Sequence, residues 1–232
     1  MPSETREPGT YRRGPGGRPT RQEAERRHQS LLVSATRLFL AKGWEGASVD
    51  EISRQSGVAK RFIYARYPNK AALFVGAVEQ FIAEKMEILH SFEPLPESVE
   101  EGLYAFGRRL LDVALRPETL AFLRLFIAEA PRFPDLAKLF VTNVRHRGHA
   151  EIIRVLAAYD DSGAIKLGDP EIRAEQFFIL VVGLPQRLAL LGGREEPAEE
   201  DRKLKAAVRL FLDGCRKRRG ECAHRQLRQH QA

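Results

Sequence analysis

Lys60, Arg61, Tyr64 and Arg66 are the residues of this 232-residue chain best suited to chemistry on a partner, and that chemistry is recognition. An ammonium, two guanidinium groups and a phenol within seven residues supply donors for phosphate oxygens and for base edges. Nothing comparable supports catalysis. The chain has no phosphate-cradling glycine loop, no nucleophile elbow and no zinc-protease histidine pair, and its carboxylates fall mostly at helix caps and surfaces. His146 and His149 stand three apart, a spacing that can bring both to one metal. With no Cys or carboxylate set beside them, they read as the polar surface of RHRGH. No catalytic residue, metal or cofactor is therefore expected. Cys215 and Cys222 read as free thiols; on a helix they share a face, but no partner motif supports a redox or dimer-linking role.

The basic row must be held by something, and residues 48–67, SVDEISRQSGVAKRFIYARY, predict what. Ser48 and Glu51 have the spacing of a capping box, with the hydroxyl accepting from the Glu51 amide and the carboxylate reaching back. Val49, Ile52 and Ser56 share one face of a two-turn helix, and Ser53 is small enough for close crossing. Gly57 stands where the chain must turn through a left-handed conformation. Val58, Phe62 and Ile63 then form the apolar side of a second helix, leaving Lys60, Arg61, Tyr64 and Arg66 outside. Short helix, glycine turn, short helix with a basic outer face is a helix-turn-helix, whose second helix enters the major groove.

Residues 31–75 as a whole resemble the DNA-binding domain of the TetR family of transcriptional regulators. The resemblance rests on Gly43-Trp44 closing a first helix, Ser48 opening a second, Gly57-Val58 opening a third, and Tyr64, Tyr67 and Lys70 leading into a fourth. It implies contacts to DNA from Ser48, Lys60, Arg61, Tyr64, Tyr67 and Lys70, with Ser48, Tyr67 and Lys70 on phosphates. Ala59, Arg61 and Phe62 depart from the commonest family pattern, as Ser53 does more mildly. From about residue 100 the chain also resembles the AefR-like subgroup, through RLFIAEAPRFPDLAKLF and the segment from Gly163 to Asp169-Pro170. That resemblance implies a homodimeric repressor whose last two helices pair across a two-fold axis.

Charge agrees with a nucleic-acid partner. The net charge is +7, and residues 31–71 carry seven basic against three acidic side chains, while the middle of the chain beyond them is acidic. No apolar run approaches the roughly 18 residues that span a bilayer, and no signal-peptide core is present, so a cytoplasmic protein without a membrane partner is expected.

The remaining pattern predicts an all-α chain of about nine helices: a three-helix DNA-binding head and a C-terminal bundle for ligand binding and dimerisation. Residues 1–19 read as a disordered basic arm, 20–68 as the head, 69–220 as the bundle and 221–232 as a basic tail. Capping boxes are expected at Thr20/Glu23 and Ser98/Glu101, and caps at Asn69 and Asp169. The first helix should stop at Gly43. TLAFLRLFIAEA, after Pro117, is apolar on nearly every side and should lie mid-bundle. A long helix is expected from Asp135 to about Tyr159, and a kink at Pro185. Residues 170–220 are expected to form the dimer interface, with Val208 and Leu212 on its stripe. Several phenylalanines, among them Phe81, Phe122 and Phe178, are suited either to core or to a pocket for an apolar or amphiphilic molecule. Leu123 and Phe126 are candidates for its wall, and Arg124 or Gln186 for its polar contact. Arg124 and Glu129 would otherwise pair with each other. Two function classes follow: a ligand-responsive DNA-binding repressor, and an interaction protein that keeps the fold without specific DNA binding.

Overall fold

A computed structural model describes residues 20–94, 98–133, 138 and 146–215 of the chain. The arm 1–19, the tail 221–232, Cys222, the start of the expected helix at Asp135 and the His146 side chain lie outside the described residues. The helices are α1 (Arg21–Gly46), α2 (Val49–Ser56), α3 (Lys60–Arg66), α4 (Lys70–His90), α5 (Val99–Ala114), α6 (Pro117–Glu129) and α7 (His146–Asp161). Then α8 (Pro170–Phe178), a π-helical turn (Ile179–Gly183) and α9 (Leu184–Leu190) run end to end, and α10 (Pro197–Cys215) closes the chain. With that run taken as one, the described residues form nine helical rods and no strand.

Local chemistry sets the helix starts. Thr20 and Glu23 exchange both bonds of a capping box, at 3.0 and 3.2 Å. Asn69 accepts from the Ala72 amide at 2.8 Å, and Asp169 from the amides of Glu171 and Ile172. Ser98 accepts from Glu101. At Ser48 only half of the expected box forms: the hydroxyl accepts from the Glu51 amide, but the Glu51 carboxylate turns away to grip the Lys42 ammonium at 2.7 Å. A full opposite charge is the stronger partner. Gly43 bends α1 at φ 69°, but the helix resumes to Gly46 instead of stopping.

Two cores sit along α4. One, under the head, joins Leu32, Phe39, Ile52 and Ile63 to Phe74 and Phe81 of α4, and takes in Phe122 and Phe126 of α6. The other fills the bundle around Leu103, Phe106, Ile152, Phe177 and Phe211. The far end of α4 is fixed by arginines: Arg109 donates to the Ile88 carbonyl at 2.8 Å, and Arg154 to those of His90 and Phe92. Thus α4 is one rod clamped in the bundle and embedded in the head.

Just before Pro185, where a kink is expected, the helix widens into the π turn Ile179–Gly183. Three further expectations are corrected. The α6 helix is not mid-bundle; only Phe122 and Phe126 are buried, and Ile127 stands in solvent, because α6 lies over α1, α5 and α9 with its outer side uncovered. Val208 and Leu212 are not on an interface stripe: both are buried in the bundle core, where α10 packs on α5. Arg124 and Glu129 do not pair; Glu129 lies nearest Arg132 at 3.6 Å, and Arg124 reaches the end of α9.

Candidate DNA-binding surface and effector cavity

The turn between α2 and α3 is built by Gly57, at φ 70° and ψ 10°, and by two serines. Ser53 Oγ donates to the Val58 carbonyl at 2.7 Å, and Ser56 Oγ accepts from the Val58 amide at 3.3 Å. Both polar groups of Val58 are thereby bonded while its side chain is buried, which fixes the angle between the two helices. Ser53 thus works as a tie across the turn, beyond the small size that its sequence position suggests.

Only Ile63 of α3 is buried. Phe62, expected on the apolar side, is 50% exposed, because one residue before Ile63 on so short a helix lies about 100° around the axis. The outer face therefore carries Lys60, Arg61, Phe62 and Tyr64 together. The Arg61 guanidinium lies 4.7 Å from the Phe62 ring centre, and Lys60 Nζ lies 2.6 Å from Asp50 at the start of α2. That exposed ion pair is weak and is readily exchanged for a phosphate. Ala59 provides no side-chain cap, so the first amides of α3 have none from that residue.

Three further predicted contact residues sit around this face. Ser48 is exposed, and while accepting from Glu51 its hydroxyl keeps one donor for a phosphate. Lys70 holds its ammonium 4.6 Å from the Trp44 ring, half-buried. Tyr67 is turned inward: its hydroxyl meets His28 Nε2 at 2.8 Å, and its ring lies so close to Gly76 that a Cβ there would come within 2.6 Å of it. Burial raises the Tyr67 pKa, and burial followed by the Arg66 charge lowers that of His28, so His28 is neutral and bonded in the folded head. The structure brings Lys60, Arg61 and Tyr64 onto one exposed helix face; Tyr67 it uses to join α1, α3 and α4.

A cavity of about 120 Å³ opens between α4, α5, α6 and α9. Ile82, Met86, Leu110, Phe122 and Leu123 make much of its wall, and Lys85, Thr119 and Gln186 are polar residues of its lining. Of the predicted residues, Leu123 and Gln186 line it. Phe126 belongs to the core under the head, and the Arg124 guanidinium is bound to the carbonyls of Ala189 and Leu190 at 2.6 and 3.0 Å, capping α9. Gln186 donates to the Ala114 carbonyl at 3.2 Å. Lys85 Nζ lies 3.3 Å from Glu118 and 4.7 Å from the Phe81 ring centre, and Thr119 Oγ1 is buried with no hydrogen-bond partner. Neither Lys85 nor Thr119 was singled out for this role from sequence; a lysine inside the apolar stripe of α4 was the available signal.

The cavity and the head share atoms. Phe122, a wall residue, stacks on Phe81 with ring centres 4.5 Å apart and belongs to the core under the head. Beyond the end of α6, Phe133 packs edge-on against Trp44 at 4.5 Å, and Arg132 pairs with Glu45 at 2.6 Å. Trp44 in turn carries Lys70. No group of His, Cys, Asp and Glu able to hold a metal occurs among the described residues, where His149 rests near the Phe178 ring. Cys215 is buried, and burial raises its thiol pKa. None of the described helices is long and apolar enough to cross a membrane.

On the outside of the bundle, Ile172, Ile179, Leu184 and Leu210 are more than half exposed, on α8, the π turn, α9 and α10. Of these, Ile179 and Leu210 line one groove together with Leu180, between the π turn and α10.

Comparison with known proteins agrees with this geometry. Residues 31–77 match the family described as bacterial regulatory proteins, tetR family, and residues 101–214 match the AefR-like transcriptional repressor C-terminal domain. The chain is 26% identical over 147 residues to the uncharacterized HTH-type transcriptional regulator YezE of Bacillus subtilis, covering 62% of this chain and 75% of that one. A solved TetR-family regulator from Mesorhizobium loti superposes with a TM-score of 0.76 at 29% identity, covering 84% of this chain and 98% of that one. The solved flavonoid-responsive regulator FrrA is also 29% identical, with a TM-score of 0.67 over 84% of this chain and 99% of its own.

Proposed function

This chain belongs to the TetR family of transcriptional regulators, and from that premise we propose that it is a homodimeric repressor released from a palindromic operator by a small apolar or amphiphilic molecule. It acts in the cytoplasm on double-stranded DNA. Two copies present their α3 helices about 34–36 Å apart, one turn of the duplex, so that both enter successive major grooves. Arg61 and Lys60 reach base edges from the outer face of α3, Phe62 lies against a thymine methyl, and Tyr64, Ser48 and Lys70 take phosphates. The copies pair through the exposed apolar residues of α8 to α10.

The observation that carries release is that Phe122 belongs both to the cavity wall and to the core under the head. A ligand larger than about 120 Å³ that pushes α6 or α4 outward changes what Trp44 and Lys70 rest on. It releases DNA only to the extent that it binds the displaced arrangement more tightly. The test is a titration of labelled operator with protein, with and without candidate ligands. Trp44, the one tryptophan of the chain, reports movement of the α6 end by its fluorescence. A ligand that fills the cavity yet leaves operator affinity and Trp44 emission unchanged overturns this mechanism.

A further inference from the structure

The polar atoms of the cavity say which kind of molecule fits it, given that the cavity is the effector site. An apolar cavity of about 150 Å³ holds a benzene ring, so one of about 120 Å³ takes a single six-membered ring when its walls give slightly. The walls are nearly all hydrocarbon. Against them stand a cation, Lys85, whose side chain is only 12% exposed, and Thr119, whose hydroxyl has no partner and is covered from the cavity until its side chain rotates inward. A buried hydroxyl without a partner costs free energy that a ligand oxygen would recover.

The carboxylate facing Lys85 has partners besides it, the Glu118 backbone amide first among them, and is open to solvent. Glu118 meets Lys85 Nζ at 3.3 Å, is 43% exposed, and has Arg116 4.0 Å away as an alternative partner. An incoming anion can take its place on Lys85 while Glu118 swings toward Arg116 and solvent. Exchange of one carboxylate for another leaves the buried ammonium paired throughout, whereas a cationic ligand would meet Lys85 as a like charge.

We propose that the effector is a monocyclic organic acid of about benzoate size, its ring among Phe122, Leu123 and Met86 and its carboxylate on Lys85 Nζ and Thr119 Oγ1. The proposal rests on the cavity being the effector site, and three probes of nearly equal shape separate the two claims: benzoate, toluene and benzylamine. Binding is measured by calorimetry on the full chain, and operator release separately. Benzoate should bind about tenfold or more tighter than toluene, the scale of one charge-assisted hydrogen bond, with benzylamine weakest. Lys85→Met should abolish the preference for benzoate while toluene still binds, which also shows the variant to be folded. Thr119→Val should weaken benzoate a fewfold and leave toluene unchanged. Benzoate no tighter than toluene, a preference surviving Lys85→Met, or binding of none of the three overturns the proposal. Tight, Lys85-dependent benzoate binding that leaves operator bound upholds the acid specificity and sinks the release mechanism. Release by toluene without a preference for benzoate does the reverse.

Discussion

Leu210→Glu should give a folded monomer, where Val208→Glu should give a poorly folded chain. Leu210 is 62% exposed on α10, while Val208, two residues away, is 1% exposed. Full burial of a leucine side chain is worth about 1.5–3 kcal/mol. Removing from water the part of Leu210 still exposed would then contribute about 1–2 kcal/mol, and a two-fold interface counts it twice. Losing about 2–4 kcal/mol raises the dimer dissociation constant roughly 25- to 700-fold, before any cost of burying the new carboxylate. At Val208 the carboxylate would be forced into the core without a partner, a loss of several kcal/mol from a domain of ordinary stability. Sedimentation at micromolar concentration and circular dichroism separate the two outcomes. A Leu210→Glu protein that sediments as a dimer like the wild type would refute the assigned interface; a wild type that is monomeric would refute dimerisation itself.

Further outcomes are expected from the head. Phe62→Ala should abolish the effect of replacing one operator thymine by uracil, which in the wild type costs about fourfold per half-site for one buried methyl; equal uracil sensitivity in both proteins removes Phe62 from base reading. Arg61→Ala should lose about 1–3 kcal/mol and relax preference at one base pair, whereas Lys70→Ala should weaken all duplexes alike and reduce the salt slope by about one. Identical salt slopes for wild type and Lys70→Ala would place that lysine off the phosphates. His28 has a folded pKa below 6.5, so its neutral form stabilises the head above pH 6.5, and that contribution is lost as the pH falls through the folded value. Melting temperatures at pH 7.5 and 5.5 should therefore differ more for the wild type than for His28→Gln; equal differences would mean that His28 carries none of the pH dependence.

What could be read from the chain beforehand was what depends on neighbours in sequence. The caps at Thr20, Asn69 and Asp169, the left-handed Gly57 and the basic face of α3 need only local spacing, and all appear in the structure. The failures share a different cause. Phe62 is expected inward beside Val58 and Ile63 because apolar residues usually are, yet Ile63 alone fills the space beneath so short a helix. Val208 and Leu212 lie on a real stripe, but a stripe does not say whether the same chain or a second copy covers it; here α5 does. Arg124 is a candidate ligand contact by type, and the carbonyls ending α9 that it binds here lie more than sixty residues away. Lys85 and Thr119 come to one cavity only where α4 meets α6, which no spacing rule encodes.

The central claim is that this chain recognises a particular duplex through α3, and one titration tests it most directly. An operator is selected from a random duplex library, and binding is followed by fluorescence anisotropy at fixed physiological salt against a scrambled duplex of equal length. Specific regulators bind their site about a thousandfold or more tighter than other DNA, and that ratio is expected here, falling sharply in Arg61→Ala. Equal affinity for both duplexes would contradict the account and leave a protein that keeps the fold for contacts other than DNA.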